Sequence, residues 1–344
     1  MNSFERVMNT LTGKPADRAP VFAVLGAWGG KLAGIDVPVL YTNAKAWVDA
    51  QRLVQDTFGL DLILATFDFS AIAEAFGCEP VYFPDQAPNM KCPLSLSLEA
   101  VSKQPLPDPA SAGRLPVILD ATQQLSGLYA GRVPVFAVIP SPCDLPILIF
   151  GIEAWLEVLL FDYPAALRFM QYTERFWVEW GNALLAAGAN GLVMPESLAA
   201  QEITTRDIFA EKLLSHLRDS LGAVKGPVVF HHGGGRISHI LDLLPGLPNL
   251  AGVAVGPRDD LAEARRLLGP ELALIGNLDN IRLAGWTADE TWRHSMACLE
   301  SAGSAGRFIL CQSAADLPIS TPAANIHAMV QASRDHAGIS AENR

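Results

Sequence analysis

The chain is poor in the features that would place it outside the cell or within a membrane. It has five cysteines in 344 residues (Cys78, Cys92, Cys143, Cys298 and Cys311), scattered and odd in number. That argues against a disulfide framework and predicts reduced thiols in a cytoplasm. Long apolar runs are missing, and stretches such as LPILIF are far too short to span a bilayer. The opening MNSFERVMNTLTGKPADRAP is mixed and charged and has no apolar centre of the kind a signal peptide needs. Positive charge is scarce too. With 25 Lys+Arg against 36 Asp+Glu the formal net charge is −11, which argues against nucleic acid and anionic membranes as partners. No internal repeat or low-complexity tract stands out.

Apolar residues, by contrast, make up 50% of the chain. A core of that size needs no disulfide or metal staple, and the length fits one large α/β barrel or two ordinary domains. The apolar residues fall in short runs bounded by turn residues, at 19–24, 60–65, 134–139, 191–195, 226–232, 250–255, 273–278 and 307–312. Most do not alternate with polar residues, as expected of strands buried on both faces. Helical spacing fills 153–188, 206–222, 260–269 and 288–303, the last with Thr287 and Glu290 placed for a capping box.

Eight buried strands alternating with helices predict a (β/α)8 TIM barrel; a doubly wound open sheet would show the same alternation. We read 1–344 as a single barrel domain, with 79–131 an excursion over one barrel mouth and 334–344 a frayed tail. A barrel of this size commonly pairs, so a homodimer is an open expectation.

Barrels gather chemistry at the C-terminal ends of their strands. The groups found there are Asp68, Glu196, His231, His232, Asn277, Asp279, Cys311 and Gln312, with Asp316 in the loop beyond the last run. These are largely metal-ligand and proton-transfer types. Each has a plainer role open to it. The histidines of VVFHHGGGR could satisfy backbone at a strand end, and the glycines could be a simple turn. Glu196 could be a helix cap and Cys311 a small apolar side chain. Asn277 and Asp279 could shape their own loop, and Trp28, Phe67, Phe69 and Tyr82 could line a pocket or fill the core. If the strand runs through both histidines, they point to opposite faces.

Four segments carry a resemblance: AEAFGCE (73–79), PESLAAQEITTRDIF (195–209), GNLDN (276–280) and TPAANIHAMV (321–330). Together they make the chain similar to the uroporphyrinogen decarboxylase superfamily, which also holds the cobalamin-dependent methyltransferases. The family fold is a (β/α)8 barrel. The decarboxylases carry an arginine-rich N-terminal motif for their polycarboxylate substrate; here Leu25 and Gly29 stand at the arginine positions. Ile147 stands at the decarboxylase tyrosine and Ala315 at its C-terminal histidine, whereas Asp68 matches its catalytic aspartate.

The methyltransferases hold zinc through a His-x-Cys pair and a distant Cys, and the metal presents a thiol substrate as thiolate. His231 matches the histidine, but Gly233 and Ala315 stand at the cysteine positions. A substitute set of His231, Glu196 and Cys311 would offer zinc-compatible ligand types.

The resemblance therefore implies a methyltransferase moving a methyl group between a corrinoid and a small molecule at the barrel mouth. Asp68, Glu196 and His231 are its candidate catalytic groups, and Asn277, Asp279 and Gln312 its candidate cofactor contacts. Methylcobalamin or another corrinoid would come from a separate protein or from solution, since no Asp-x-His-x-x-Gly signature is present. A decarboxylase of uroporphyrinogen or a related acid, and a non-catalytic corrinoid or tetrapyrrole binder, are the alternatives.

Overall fold

A computed structural model describes residues 1–91, 93–302, 306–313 and 315–342; Cys92 lies outside the described residues. All eight apolar runs form strands: β1 Val21–Phe22, β2 Ile63–Leu64, β3 Val135–Val138, β4 Gly191–Pro195, β5 Val228–His231, β6 Leu250–Ala254, β7 Ala273–Asp279 and β8 Phe308–Ser313. They form one sheet in the order β1-β8-β7-β6-β5-β4-β3-β2, every pair parallel. The two edge strands face each other across a seam, where the Asp61 N–H donates to the Val21 carbonyl at 2.9 Å. The result is a nearly closed barrel with helices outside it, not an open sheet.

Strand alternation separates two apolar layers. In β3, Val135 and Ala137 face the helices, while Phe136 and Val138 face the barrel interior. The same alternation puts Phe22, Leu64, Val229, Ile275, Ile309 and Cys311 inside. Both faces of every strand are therefore apolar, which is why the runs show no polar alternation.

The N-terminal helix α1, Ser3–Thr12, adds Val7 and Leu11 to the inner layer. An Asn2–Glu5 capping box starts it. Asp61, fully buried, ties α1 to the seam. It accepts from Arg6 Nη1 at 2.7 Å, Arg18 Nη1 at 2.7 Å, Ser3 Oγ at 2.8 Å and the Val21 N–H at 2.8 Å. A carboxylate this enclosed is tolerated because its lone pairs all have partners.

The expected capping box at Thr287 and Glu290 is present on helix Ala288–Ser301. Two expectations need correction. The stretch 153–188 is two helices, Ile152–Phe161 and Tyr163–Ala186, because Asp162 caps a new start with Pro164 in its first turn. The polar residues after Ser333 continue helix Ala323–Glu342 as far as Glu342, and 343–344 lie outside the described residues. Between β2 and β3 lie a small antiparallel hairpin, Pro80–Val81 with Asn89–Met90, and helix Leu115–Tyr129, which packs on helix Ala44–Phe58 and on β3.

Candidate active site

The inward-facing side chains do not fill the barrel. They leave a cavity of about 470 Å³ that reaches from Leu11 of α1 to the loops after β4, β5 and β8. Its wall is apolar along almost its whole length, and no lysine or arginine lines it among the described residues. The polar side chains at its edge are Ser197, His231, Gln312 and Ser313, together with the Cys311 thiol.

His231 is the last residue of β5, in register with Pro195 and Ala254. The strand ends there, so His231 and His232 do not point to opposite faces; their rings stack at 4.5 Å with 28° between planes. Gly233 and Gly234, at φ 61° and 108°, turn the chain in a conformation that L side chains rarely adopt. The Gly233 N–H donates to His231 Nδ1 at 3.2 Å. Nδ1 is thereby the acceptor, and the neutral ring carries its proton on Nε2. Burial, with His232 beside it, holds the His231 pKa well below the ordinary value, so the ring is neutral at physiological pH. His232 is fully buried, with Nδ1 3.0 Å from the Gly235 carbonyl oxygen and a pKa lowered by burial to about 4. Gly256 makes room for it: a Cβ there would lie 3.0 Å from the His232 ring.

The other expected catalytic groups turn away from the cavity. Asp68 sits between Phe67 and Phe69, which do line it. Its own carboxylate is buried and accepts from Ser70 Oγ at 2.6 Å, the Ala71 N–H at 3.3 Å and Arg114 Nη1. Burial raises its pKa, and Arg114 opposes that rise. Arg114 is held in turn by Glu74 at 2.7 Å and lies 5.3 Å from the Tyr82 ring centroid. Glu196 is completely buried and accepts from Ser141 Oγ and, at 3.0 Å, the Leu198 N–H. Beside it Asp144 accepts the Ser197 N–H at 2.5 Å. Burial, and then the Asp144 charge, push the Glu196 carboxyl well above the usual carboxylate range. Both acids build the rim's backbone.

The expected cofactor contacts divide. Gln312 lines the cavity, but its Nε2 donates to the Ala315 carbonyl at 3.3 Å. Asn277 faces outward and donates to the Gly256 and Asp259 carbonyls at 3.0 and 2.8 Å. Asp279 accepts the Ile281 and Arg282 N–H groups, each at 3.0 Å. These two shape the GNLDN loop and do not line the cavity. Asp316 accepts from the Gly26 N–H at 2.8 Å and Tyr41 Oη at 3.2 Å, so it anchors the loop after β8 to helix Gly26–Ala33. Trp28 is core, with Nε1 donating to the Thr321 carbonyl at 2.9 Å.

The residues present do not fit zinc. Among the described residues no three His, Cys, Asp or Glu side chains are grouped to hold a metal, so the structure does not bring His231, Glu196 and Cys311 together. Cys311 does line the cavity, but burial raises its thiol pKa far above neutrality. The cysteine of a His-x-Cys pair has no room either. A Cβ on Gly233 would lie 2.7 Å from the Glu196 carbonyl carbon and oxygen and from Ser197 Cα.

The cavity residues that the sequence reading missed, Phe22, Val138, Val193 and Val229, sit on every second position of their strands. Counting two back from His231 would have found Val229.

Fold and site together define a TIM barrel with a deep apolar binding cavity opening at the strands' C-terminal ends. The uroporphyrinogen decarboxylase (URO-D) family pattern matches residues 2–336, and the chain belongs to that family. A methylcobamide:CoM methyltransferase, MtaA of Methanosarcina barkeri, is 22% identical over 336 residues, covering 95% of this chain and 96% of that protein. A uroporphyrinogen decarboxylase of Alkalilimnicola ehrlichii is 24% identical over 321 residues, covering 85% and 83%. A solved methyltransferase from Methanosarcina mazei superposes with a TM-score of 0.87 at 19% identity, covering 97% of this chain and 99% of that one. No helix among the described residues is long and apolar enough to cross a membrane.

Proposed function

We propose that this chain is a methyltransferase that passes a methyl group between a corrinoid and a small molecule held in the barrel cavity. The corrinoid is carried by a separate protein or arrives from solution. One observation carries the reading over its family alternative. A uroporphyrinogen decarboxylase must hold a polycarboxylate, and burying carboxylates without cations is costly. Among the described residues the cavity wall has no lysine or arginine. Whole-length similarity to a methylcobamide:CoM methyltransferase supports the same choice.

A corrinoid supplies a cobalt centre able to give or take a methyl group. The chain's own residues do the rest. The apolar wall excludes water around the methyl group, and His231 offers a hydrogen bond at the cavity edge. Asp68 and Glu196 act as positioning residues: Asp68 holds Phe67 and Phe69 through the turn it caps, and Glu196 with Asp144 holds the Ser197–Leu198 turn. No step here passes through zinc.

The test is a pair of assays on the purified chain. One follows the cobalt absorption of free cobalamin as methyl compounds are added; the other follows uroporphyrinogen by chromatography. Methylation of reduced cobalamin with uroporphyrinogen left intact is the expected result. Decarboxylation would install the family alternative, and tight cobalamin binding with no turnover would make the chain a binder.

A further inference from the structure

The cavity's lining also specifies what it takes. Its aromatic residues gather on one side. Phe22 comes from β1, Phe136 from β3, Phe67 from the loop after the intervening β2 and Phe69 from the start of helix Phe69–Ala75; the last two rings meet edge-on at 5.1 Å. His231 stands on β5, three strands further round. Two of its polar neighbours in the lining already donate to backbone, Gln312 through one of its two Nε2 hydrogens. Ser313 Oγ donates to the Leu278 carbonyl at 2.9 Å and Gln312 Nε2 to that of Ala315. With Nδ1 accepting from Gly233, the His231 Nε2–H is left without a partner among the described residues. The volume, about 470 Å³, falls within the range of small-ligand pockets.

We propose that the cavity binds an uncharged, ring-bearing compound, its ring against the phenylalanines and its one hydrogen-bond acceptor on His231 Nε2. Three physical points lead there. A buried anion would find no lysine or arginine in this wall among the described residues. A flat ring packs edge-to-face or offset on phenylalanine. The open imidazole position is a donor, so it selects an acceptor atom.

Combined with the methyl-transfer reading, on which this part rests, the acceptor atom is the one that bears the methyl group. Its bond to carbon breaks with both electrons remaining on the heteroatom, and the methyl group goes to the reduced corrinoid nucleophile. The Nε2–H hydrogen bond stabilises the pair left behind, which takes its proton from solvent as product leaves. The bound compound is thus the methyl donor. A thiol acceptor would instead need a base where the ring presents a proton.

The experiment is titration calorimetry on the full chain with three probes: methoxybenzene, 4-methoxybenzoate and 2-mercaptoethanesulfonate. Methoxybenzene binds, and each anion binds at least about tenfold more weakly, a difference of roughly 1.4 kcal/mol. Val193→Trp and Ala254→Phe fill the cavity from two different walls, and each abolishes methoxybenzene binding while the protein stays folded by circular dichroism. His231→Phe weakens it about fivefold, and His231→Gln, which keeps a donor, recovers most of the loss. Anions binding as tightly as the neutral probe, or neutral binding untouched in both filled variants, overturns the proposal. The cobalamin assay separates it from the methyl-transfer reading. If methoxybenzene binds in the cavity and no methyl compound alkylates cobalamin, that reading fails and the ligand class stands. If only charged methyl compounds are turned over, the ligand class falls and the reading stands.

Discussion

Gly233 lies against the backbone of Glu196 so closely that its missing side chain has nowhere to go: a Cβ would fall 2.7 Å from the Glu196 carbonyl carbon and oxygen. The cysteine that the resemblance to the methyltransferases puts at this position is therefore not merely replaced in this chain. The space it would occupy is filled by the turn after β4, which Ser141, Asp144 and Glu196 hold in place.

Gly233→Cys consequently does not build a metal site. The substitution puts a side chain at φ 61° and into occupied space. We expect a loss of about 2–4 kcal/mol in urea denaturation and no gain of bound zinc by elemental analysis. A stable variant that takes up one zinc per chain would contradict this.

The barrel was legible in the sequence because its strands are buried on both faces, and unbroken apolar runs mark that condition directly. His231 was legible because a strand end carries it to the mouth. Asp68 and Glu196 occupy equivalent strand ends, yet their carboxylates turn into the wall. Their partners explain the difference and were hidden by distance along the chain: Arg114 lies in the long segment between β2 and β3, and Ser141 and Asp144 in the loop after β3. A strand-end position says which residues reach the rim. It does not say which way a side chain turns when a partner competes with the cavity.

Asp68 should accordingly behave as a structural acid. Asp68→Ala leaves the Arg114 guanidinium buried with one partner fewer, and we expect a loss of about 3–5 kcal/mol. Adding Arg114→Met to it should restore part of that stability. Methyl transfer by whatever fraction of Asp68→Asn remains folded should keep a kcat near that of the parent chain. A folded variant that loses kcat a hundredfold would make Asp68 a catalytic group instead.

The carboxyl pair gives a pH signature. Glu196 has a folded pKa raised by burial and by Asp144. The folded state thus keeps a proton that the unfolded chain releases. That contribution is fullest below about pH 4.3 and declines as pH rises toward the folded value. Glu196→Gln imitates the protonated form, so its Tm should fall less than that of the parent between pH 6 and 9. A steeper fall in the variant would refute the assignment.

Two buried histidines act in the opposite direction. His232 and His216 have pKa values lowered by burial to about 4, so the unfolded chain takes up protons first as pH drops. Their stabilisation is complete above pH 6.5 and is lost as pH falls from there to 4, about 3 kcal/mol for each. Urea midpoints measured across that window should drop, and His216→Phe should flatten part of the slope. An unchanged slope would mean that His216 is not the group responsible.

The central claim is that methyl transfer depends on the apolar cavity and on His231, with no zinc. It is tested most directly by assaying cobalamin methylation on chain stripped with a chelator, beside untreated chain and the Val193→Trp variant. The account predicts equal rates with and without chelation and loss of transfer in Val193→Trp. Activity abolished by the chelator and restored by added zinc would contradict it.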